Sequence, residues 1–290
     1  MNALRLIVFI AAMLIALPAA AFPVGKSSFG FDDGDGHKLE ILLYQPKKFD
    51  ENSPIQFVMH GMSRNANETR QHWISLADRE NVLIVAPLFD LAQFPRTDDY
   101  SFGPKRAGQR SLESLMAIEK LFDHVKKTTA STRDSYRIFG HSAGAQFVHR
   151  LTMLVPANRS EWAIAANAGR YTWPEWRADK GGAALPDGMA NVADAEGKLK
   201  RALARKLVVM LGEADNDPAH HQLNHGKALD LQGMERLSRG RNFFKAAQTL
   251  ASELNVRSPW ILKTVPGVGH DNVAMSRAAI ELMYPAGGKQ

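Results

Sequence analysis

Short apolar runs rich in β-branched residues recur along the chain, and segments with helical periodicity separate them. The runs are PIQFVMHG, NVLIVAP, SYRIFGHS, EWAIAANAG, KLVVMLGEAD and PWILKTVPG. The helical segments include TRQHWISLADREN, GQRSLESLMAIEKLFDHVKK, AGAQFVHRLTML and RNFFKAAQTLASELN. Because continuous apolar strands that alternate with helices are typical of a parallel sheet buried on both faces, we predict an α/β fold with a mostly parallel central sheet.

An earlier stretch predicts a hairpin. HKLEILLYQP (residues 37–46) alternates apolar and polar residues, and the preceding SFGFDDGDGHK contains Asp-Gly turn pairs. The acidic residues of this turn also suggest a calcium loop, but the glutamate that would close a twelve-residue loop is missing. The hairpin is therefore the preferred interpretation.

Residues 170–205 interrupt the alternation of strands and helices. The segment is rich in glycine, proline, alanine and charged residues, and it is too long for an ordinary connection. It is predicted to be either a lid over a site or a solvent-facing insertion. Trp173, near its start, is a candidate substrate contact.

The first residues have the pattern of a secretory signal peptide. Arg5 precedes an apolar run from Leu6 to Leu17, and Ala19 to Ala21 offer small residues for cleavage. An uncleaved membrane anchor is the alternative, but the run is shorter than the roughly 20 residues that span a bilayer. We therefore expect a signal peptide at residues 1–21 and a single secreted or periplasmic domain at residues 22–290, without membrane attachment.

Composition narrows the possible partners. The chain has no cysteine, so its stability outside the cytoplasm must come from its core and not from disulfides. A formal net charge of +6 suggests an acidic partner, and a basic surface of dispersed charge is an equal alternative. The sequence has no helix-turn-helix, zinc-finger or aromatic RNA-binding pattern, so no nucleic-acid partner is expected.

The stretch RIFGHSAGAQFVHR places a serine between an apolar strand and a helix. Its residues 140–144, GHSAG, match the G-x-S-x-G pattern of a nucleophile elbow. In that tight turn glycines avoid collisions that side chains would cause, and the serine is raised above the sheet. The strand and helix on either side make the short motif informative, and we predict that Ser142 is a nucleophile.

A serine nucleophile needs a base and a group that orients the base. In α/β enzymes with a nucleophile elbow, the order of these residues along the chain is serine, acid, histidine. Asp215 follows the strand in LVVMLGEADNDP, and His270 follows the strand in WILKTVPGVGHDN. We predict His270 as the general base and Asp215 as the orienting acid, with Asp217 as the alternative acid.

The developing oxyanion needs hydrogen-bond donors. The backbone N–H of Ala143, directly after the nucleophile, is one predicted donor. The other is the N–H of Met62 in QFVMHGMSRN, with Ser63 as the next choice.

A basic cluster begins the helix after the acid loop. Arg236, Arg239 and Arg241 in MERLSRGRNFFK are candidates for anion recognition, and a solvated helix end is the alternative. His221 and His225 lie four residues apart, but no carboxylate completes a zinc pattern, so neither a metal nor another cofactor is expected.

Several of these stretches together resemble a known family. HGMSRNA, GHSAGAQFVHRL, LGEADNDP, MERLSRGRNFF and VPGVGHDN resemble the polyhydroxyalkanoate depolymerase-like branch of the α/β-hydrolase superfamily, over most of residues 37–284. The resemblance implies serine-dependent hydrolysis of a polymeric or oligomeric ester through an acyl-enzyme. It also implies the triad Ser142, Asp215 and His270, and a homodimer is possible.

The basic charge leaves the substrate open, because a neutral polyester would not require it. Secreted hydrolases of poly(aspartic acid) are similar to this branch, so an acidic polyamide is the alternative substrate. A catalytically silent domain that binds an acidic surface is a third interpretation.

Overall fold

A computed structural model of the chain describes residues 22–106 and 109–285. The predicted signal peptide, residues 1–21, lies outside the described residues. In chain order the strands are β1 (Gly25–Asp32), β2 (Lys38–Gln45), β3 (Ile55–Met59), β4 (Leu83–Leu88), β5 (Lys105–Arg106), β6 (Gln109–Arg110), β7 (Tyr136–His141), β8 (Ser160–Ala166), β9 (Leu207–Gly212) and β10 (Ile261–Val265).

The helices alternate with these strands as the sequence predicts. They are α1 (Ala66–Gln71), α2 (Ile74–Glu80), α3 (Thr97–Ser101), α4 (Glu113–Thr129), α5 (Ala143–Leu154), α6 (Ala195–Leu203), α7 (Lys227–Asp230), α8 (Arg236–Glu253) and α9 (Asn272–Met283). Within the described residues, no helix combines the length and the apolar character that crossing a membrane requires.

Eight strands of the described residues form one sheet in the order β1-β2-β4-β3-β7-β8-β9-β10. β1 pairs with β2, and β2 with β4, in antiparallel register, and the six strands β4, β3, β7, β8, β9 and β10 pair in parallel. β5 and β6 form a separate antiparallel pair. β3 pairs with β4 on one side and with β7 on the other. The chain therefore adds β4 on one side of β3 and the strands from β7 onward on the opposite side, which makes a topological switch point at β3. The carboxyl ends of the parallel strands meet at one edge there, where open α/β sheets place their sites.

The apolar runs are continuous because the sheet is covered on both faces. In β9, Val209 and Leu211 face one core with helices α4, α5, α6 and α8, whereas Val208 and Met210 face a second core with α1, α2 and α9. Every residue of β3, β7 and β9 is buried. The predicted α/β architecture is confirmed.

The predicted hairpin is also confirmed. β1 and β2 pair from Gly25 opposite Gln45 to Asp32 opposite Lys38. In the turn, Asp33 Oδ1 accepts hydrogen bonds from the backbone N–H of Asp35 at 2.8 Å and of His37 at 3.0 Å.

Residues 170–205 pack onto the main core. Tyr171 stacks on Phe243 of α8 with ring centroids 4.4 Å apart, and Leu199 and Leu203 of α6 are buried in the same cluster. The two ends of the segment are anchored on the core, whereas most of residues 178–184 between them are exposed. Sequence periodicity missed α6 because charged residues occupy its outer face.

We expect Phe57→Ala to lower the free energy of unfolding by about 3–5 kcal/mol, because it leaves a cavity in the fully packed centre of the sheet. Phe57 lies in β3, is 0% exposed, and its ring centroid is 4.9 Å from that of Tyr136. Urea denaturation of residues 22–290 measures the change. Leu231→Ala, at a side chain that is 80% exposed, should change stability by less than about 0.5 kcal/mol. Equal losses in the two variants would contradict the assigned core.

Candidate active site

Ser142 lies in a sharp turn between β7 and α5. Its backbone has φ 58° and ψ −117°, a conformation that costs energy for any residue with a side chain. The Ser142 N–H donates to the Ala166 carbonyl at 3.0 Å, which ties the turn to the end of β8. A strained serine between a buried strand and a helix is the geometry of a nucleophile elbow.

The two glycines of the GHSAG motif allow this turn to form. A Cβ at Gly140 would collide with the backbone carbonyl of Gly144, and a Cβ at Gly144 would collide with that of Met59 in β3. Only residues without side chains allow this close approach of strand and helix.

His270 and Asp215 come together from different parts of the chain. Asp215 follows β9 and is 4% exposed, and His270 lies between β10 and α9. His270 Nδ1 lies 2.7 Å from Asp215 Oδ2. Because an ionised carboxylate only accepts, Nδ1–H is the donor, and Nε2 of a neutral ring is left as the acceptor. His270 and Ser142 line the same cavity of about 170 Å³.

Asp217, the alternative acid, occupies a different position. Its side chain is exposed, and its Oδ1 accepts a hydrogen bond from the Ala219 N–H at 2.8 Å, as in a local turn. The structure therefore brings Asp215, and not Asp217, against the histidine.

Asp215 has a second partner. The Arg236 guanidinium donates from Nη1 to Asp215 Oδ1 at 3.2 Å, so both carboxylate oxygens are engaged. Arg236 is 1% exposed. Burial lowers the pKa of Arg236, and the charge of Asp215 opposes that shift. The pair forms a buried, hydrogen-bonded ion pair, the arrangement that makes burial of charge tolerable.

A buried histidine packs beside His270. The ring centroid of His141 is 4.5 Å from that of His270. Burial lowers the pKa of His141 well below its usual value, with smaller contributions from the charges of His270 and Arg236. His141 is therefore a neutral neighbour of His270 at ordinary pH.

The loop after β3 lies beside the serine. A Cβ built on Gly61 would be 4.0 Å from the Cβ of Ser142, and Met62 lines a cavity together with Ser142. His60 holds this loop in place: its Nε2 accepts from the Phe89 N–H at 3.1 Å. Burial lowers the pKa of His60 to about 4, so the ring stays neutral and can accept. The predicted oxyanion donors, the Met62 and Ala143 N–H groups, belong to the two segments that flank Ser142.

A second cavity, of about 240 Å³, opens beside the nucleophile, and we call it the serine cavity. Its charged and amide lining includes Arg96, Asp98, Gln146, Arg170, Gln222 and Arg236. Three guanidinium groups and one carboxylate line the cavity. Each guanidinium also has a carboxylate partner outside the lining: Asp99 for Arg96, Asp187 for Arg170 and Asp215 for Arg236.

Several solved structures that resemble the chain are hydrolases. Poly(aspartic acid) hydrolase-1 from Sphingomonas sp. KT-1 superposes with a TM-score of 0.85 and 38% identity, over 91% of this chain and 100% of that chain. The chain belongs to the α/β-hydrolase superfamily. The poly(3-hydroxybutyrate) depolymerase LpqC from Bordetella parapertussis has a TM-score of 0.84 and 29% identity, over 92% of this chain and 93% of that chain.

This α/β hydrolase also shares its fold with more distant enzymes. S-formylglutathione hydrolase (FrmB) from Staphylococcus aureus matches 89% of this chain and 97% of that chain with a TM-score of 0.58 and 17% identity. No protein-family model and no curated protein matches the chain. The predicted resemblance to the depolymerase-like branch is confirmed, and so is the prediction that the chain is a hydrolase.

The fold places the three arginines that were predicted to recognise substrate in three different environments. Arg236 lines the serine cavity, but Arg239 is 0% exposed and Arg241 lies on the outer face of α8. Arg239 donates to the carbonyls of Gly169 at 2.6 Å and Asn224 at 3.0 Å, both of which line the cavity. Arg239 therefore supports the cavity wall and does not face a substrate.

Trp173 lies outside the serine cavity. It lines a separate groove with Arg177 and Lys245, and its ring packs edge-on against Phe243 at 6.4 Å. Trp173 packs on α8, which passes beneath the start of the 170–205 segment, and its contact with substrate stays a prediction.

Sequence reasoning missed two cations of the serine cavity. Arg96 follows β4 and Arg170 follows β8, both at the carboxyl edge of the sheet. The signal that could have found them is the same strand-end position that located Asp215 and His270.

His225, half of the predicted histidine pair, contacts Asp230 Oδ1 at 2.7 Å and the Pro218 carbonyl at 2.7 Å. The described part of the chain contains no cluster of three or more side chains suited to holding a metal ion.

Asp215→Asn should lower kcat about 10⁴-fold, because an amide cannot orient and stabilise a protonated histidine as a carboxylate does. Asp217→Asn makes the same chemical change two residues away and should keep near-normal kcat. Steady-state hydrolysis of a p-nitrophenyl ester by both purified variants measures the difference. A large loss in Asp217→Asn, with activity retained in Asp215→Asn, would reverse the assignment.

Proposed function

We propose that the chain hydrolyses amide bonds in an acidic polyamide such as poly(aspartic acid). The observation that carries this proposal is the lining of the serine cavity, where Arg96, Arg170 and Arg236 surround the approach to Ser142. The 38% identity to poly(aspartic acid) hydrolase-1, over the whole length of that protein, supports the same substrate class.

The charges of this cavity suit a chain of carboxylates. The Arg96 side chain is 62% exposed at the mouth of the cavity, where Asp99 holds its Nε at 2.8 Å and its Nη2 at 2.9 Å. Arg170 is held by Asp187 at 2.7 Å, so its guanidinium has a fixed position at the cavity wall. Guanidinium groups bind carboxylates with paired, charge-assisted hydrogen bonds, whereas a neutral polyester offers no such partner.

In the proposed reaction, Ser142 Oγ attacks the amide carbonyl carbon while His270 Nε2 takes the hydroxyl proton. The negative charge that forms on the carbonyl oxygen is stabilised by the N–H groups of Met62 and Ala143. The C–N bond then breaks, and His270 returns the proton to the leaving amine.

The acyl-enzyme formed on Ser142 is hydrolysed by the same steps. His270 removes a proton from water, the resulting hydroxide attacks the ester carbon, and the proton returns to Ser142 Oγ as the acid product leaves. Asp215 stabilises the protonated His270 in both halves of the cycle, through the 2.7 Å contact with Nδ1.

Hydrolysis of a polyester is the second candidate function. The 29% identity to a poly(3-hydroxybutyrate) depolymerase favours it, and the same nucleophile and base cleave esters more easily than amides. The resemblance of the sequence to the depolymerase-like branch also predicts this substrate. The cationic lining of the serine cavity now favours the acidic polyamide.

We also propose that residues 22–290 act as one secreted domain after removal of residues 1–21. A polymer too large to enter a cell must be cleaved outside the cytoplasm, and the first residues carry the pattern of a signal peptide.

We expect residues 22–290 to cleave poly(aspartate) and Ser142→Ala to lose this activity by several orders of magnitude. The rate should fall as the NaCl concentration rises, because salt screens attraction between exposed charges. Chromatography of the released oligomers measures cleavage, with hydroxybutyrate oligomers as the parallel substrate. Cleavage of the polyester alone, at a rate insensitive to salt, would reject the polyamide and support the second candidate.

Arg96→Gln should raise KM for poly(aspartate) by about 2- to 5-fold with little change in kcat, because it removes one exposed cation from the approach to Ser142. Arg201→Gln is the matched control: it removes the same charge from an exposed site on α6, where Arg201 contacts Asp194. KM values that rise equally in both variants would show that only net charge matters.

A further inference from the structure

The wall of the serine cavity contains a small polar recess at Gly169. A Cβ built on Gly169 would lie 3.6 Å from Arg236 Nε, 3.9 Å from Gln146 Nε2 and 3.9 Å from Leu223 Cδ1. Gly169, Gln146 and Arg236 all line the cavity together with Ser142. The missing side chain of Gly169 therefore leaves open a space that two nitrogen donors border.

One of these donors lacks a partner. Arg236 is 1% exposed, and its Nε is buried without a hydrogen bond, although its Nη1 donates to Asp215. A buried N–H without an acceptor costs free energy comparable to a lost hydrogen bond, so such a group calls for an explanation. An acceptor that enters the recess from the cavity would satisfy it.

The fold holds the recess rigidly. The Gly169 carbonyl accepts from Arg239 Nη1 at 2.6 Å, and the Asp215 contact anchors the guanidinium of Arg236. Gln146 lies on the first turn of α5, one turn after Ser142. The recess is thus built on the same helix as the nucleophile and on the arginine that contacts the predicted triad acid.

We propose that this recess is a carboxylate subsite, which binds the free carboxylate of the unit whose acyl carbon Ser142 attacks. Arg236 Nε and Gln146 Nε2 donate to the carboxylate, and Gly169 provides the room. The subsite rests on the proposed function, because it assumes an acyl unit that carries a carboxylate near the scissile bond.

The spacing between the two carboxyl groups of an aspartyl unit defines a pair of small test substrates. In an aspartyl unit, two carbon atoms separate the free carboxylate from the acyl carbon, whichever carboxyl group forms the amide. Monomethyl succinate has the same spacing, and methyl butyrate replaces the carboxylate with a methyl group. The pair of esters therefore isolates the carboxylate without any polymer.

We expect kcat/KM for monomethyl succinate to exceed that for methyl butyrate by about 10- to 100-fold, as for a hydrogen-bonded charged group. Release of acid at constant pH measures both rates. Gly169→Ala should bring the ratio close to one, because its Cβ fills the recess at ordinary contact distances and the φ of Gly169 lies outside the left-handed region. Gln146→Glu should also bring the ratio close to one, because it replaces an N–H donor of the recess with a negative charge.

Matched controls separate the recess from general effects. Gly30→Ala adds a methyl group at an exposed position on β1 with no atom within 4 Å, and Gln71→Glu makes the same charge change at an exposed position on α1. Both should keep the wild-type ratio of the two esters. An unchanged ratio in Gly169→Ala and Gln146→Glu, or no preference in the wild type, would overturn the subsite.

Binding of free succinate gives a readout that does not depend on turnover. Calorimetry with Ser142→Ala should detect succinate, and adding Gly169→Ala should weaken its binding by about 10-fold or more. Equal binding in the two proteins would overturn the subsite. Failure to cleave poly(aspartate) with the ester preference intact would reject only the polymer substrate, so the two proposals fail separately.

Discussion

The buried carboxylate of Asp215 is the group on which the arrangement of the site depends. One oxygen accepts from His270 and the other from Arg236, so the carboxylate joins the segment after β10 to the start of α8. A carboxylate that is 4% exposed would be unstable as an anion without such partners. Removal of Arg236 would leave the carboxylate charge buried and uncompensated, which commonly costs more than the pair contributes, whereas removal of His270 would leave one carboxylate oxygen without its hydrogen bond.

Arg239 lies one turn after Arg236 on α8 and also connects loops at this edge of the sheet. Its guanidinium reaches the carbonyls of Gly169, Asn224 and Gly233, which belong to three different loops at the carboxyl edge of the sheet. The loops themselves have little regular structure, and a single rigid donor satisfies several of their carbonyls. Arg236 and Arg239, both buried on α8, thus fix the positions of Asp215 and of the cavity wall relative to each other.

The strands, the elbow and the order of the triad residues could be predicted from local pattern. Apolar runs such as KLVVMLGEAD are buried on both faces, which no loop or amphipathic helix would be. In GHSAG, Gly140 is required by a contact inside the motif, with Gly144, although Gly144 also approaches Met59 of β3. The cavity could not be predicted in the same way. Arg96 and Arg170 are isolated in sequence, and only the sheet order brings the ends of β4 and β8 near β7.

The sequence by itself determined the fold class, the candidate nucleophile and the strand ends that carry Asp215 and His270, because hydrophobic period and turn chemistry are local properties. Tertiary structure alone decided between Asp215 and Asp217 and placed Trp173 in a groove separate from the serine cavity. It also divided the arginine cluster into one cavity residue, one buried residue that binds loop carbonyls and one surface residue. Burial and hydrogen-bond partners depend on segments far apart in the chain. The period of an amphipathic helix indicates which face is buried, but it does not indicate what that face meets.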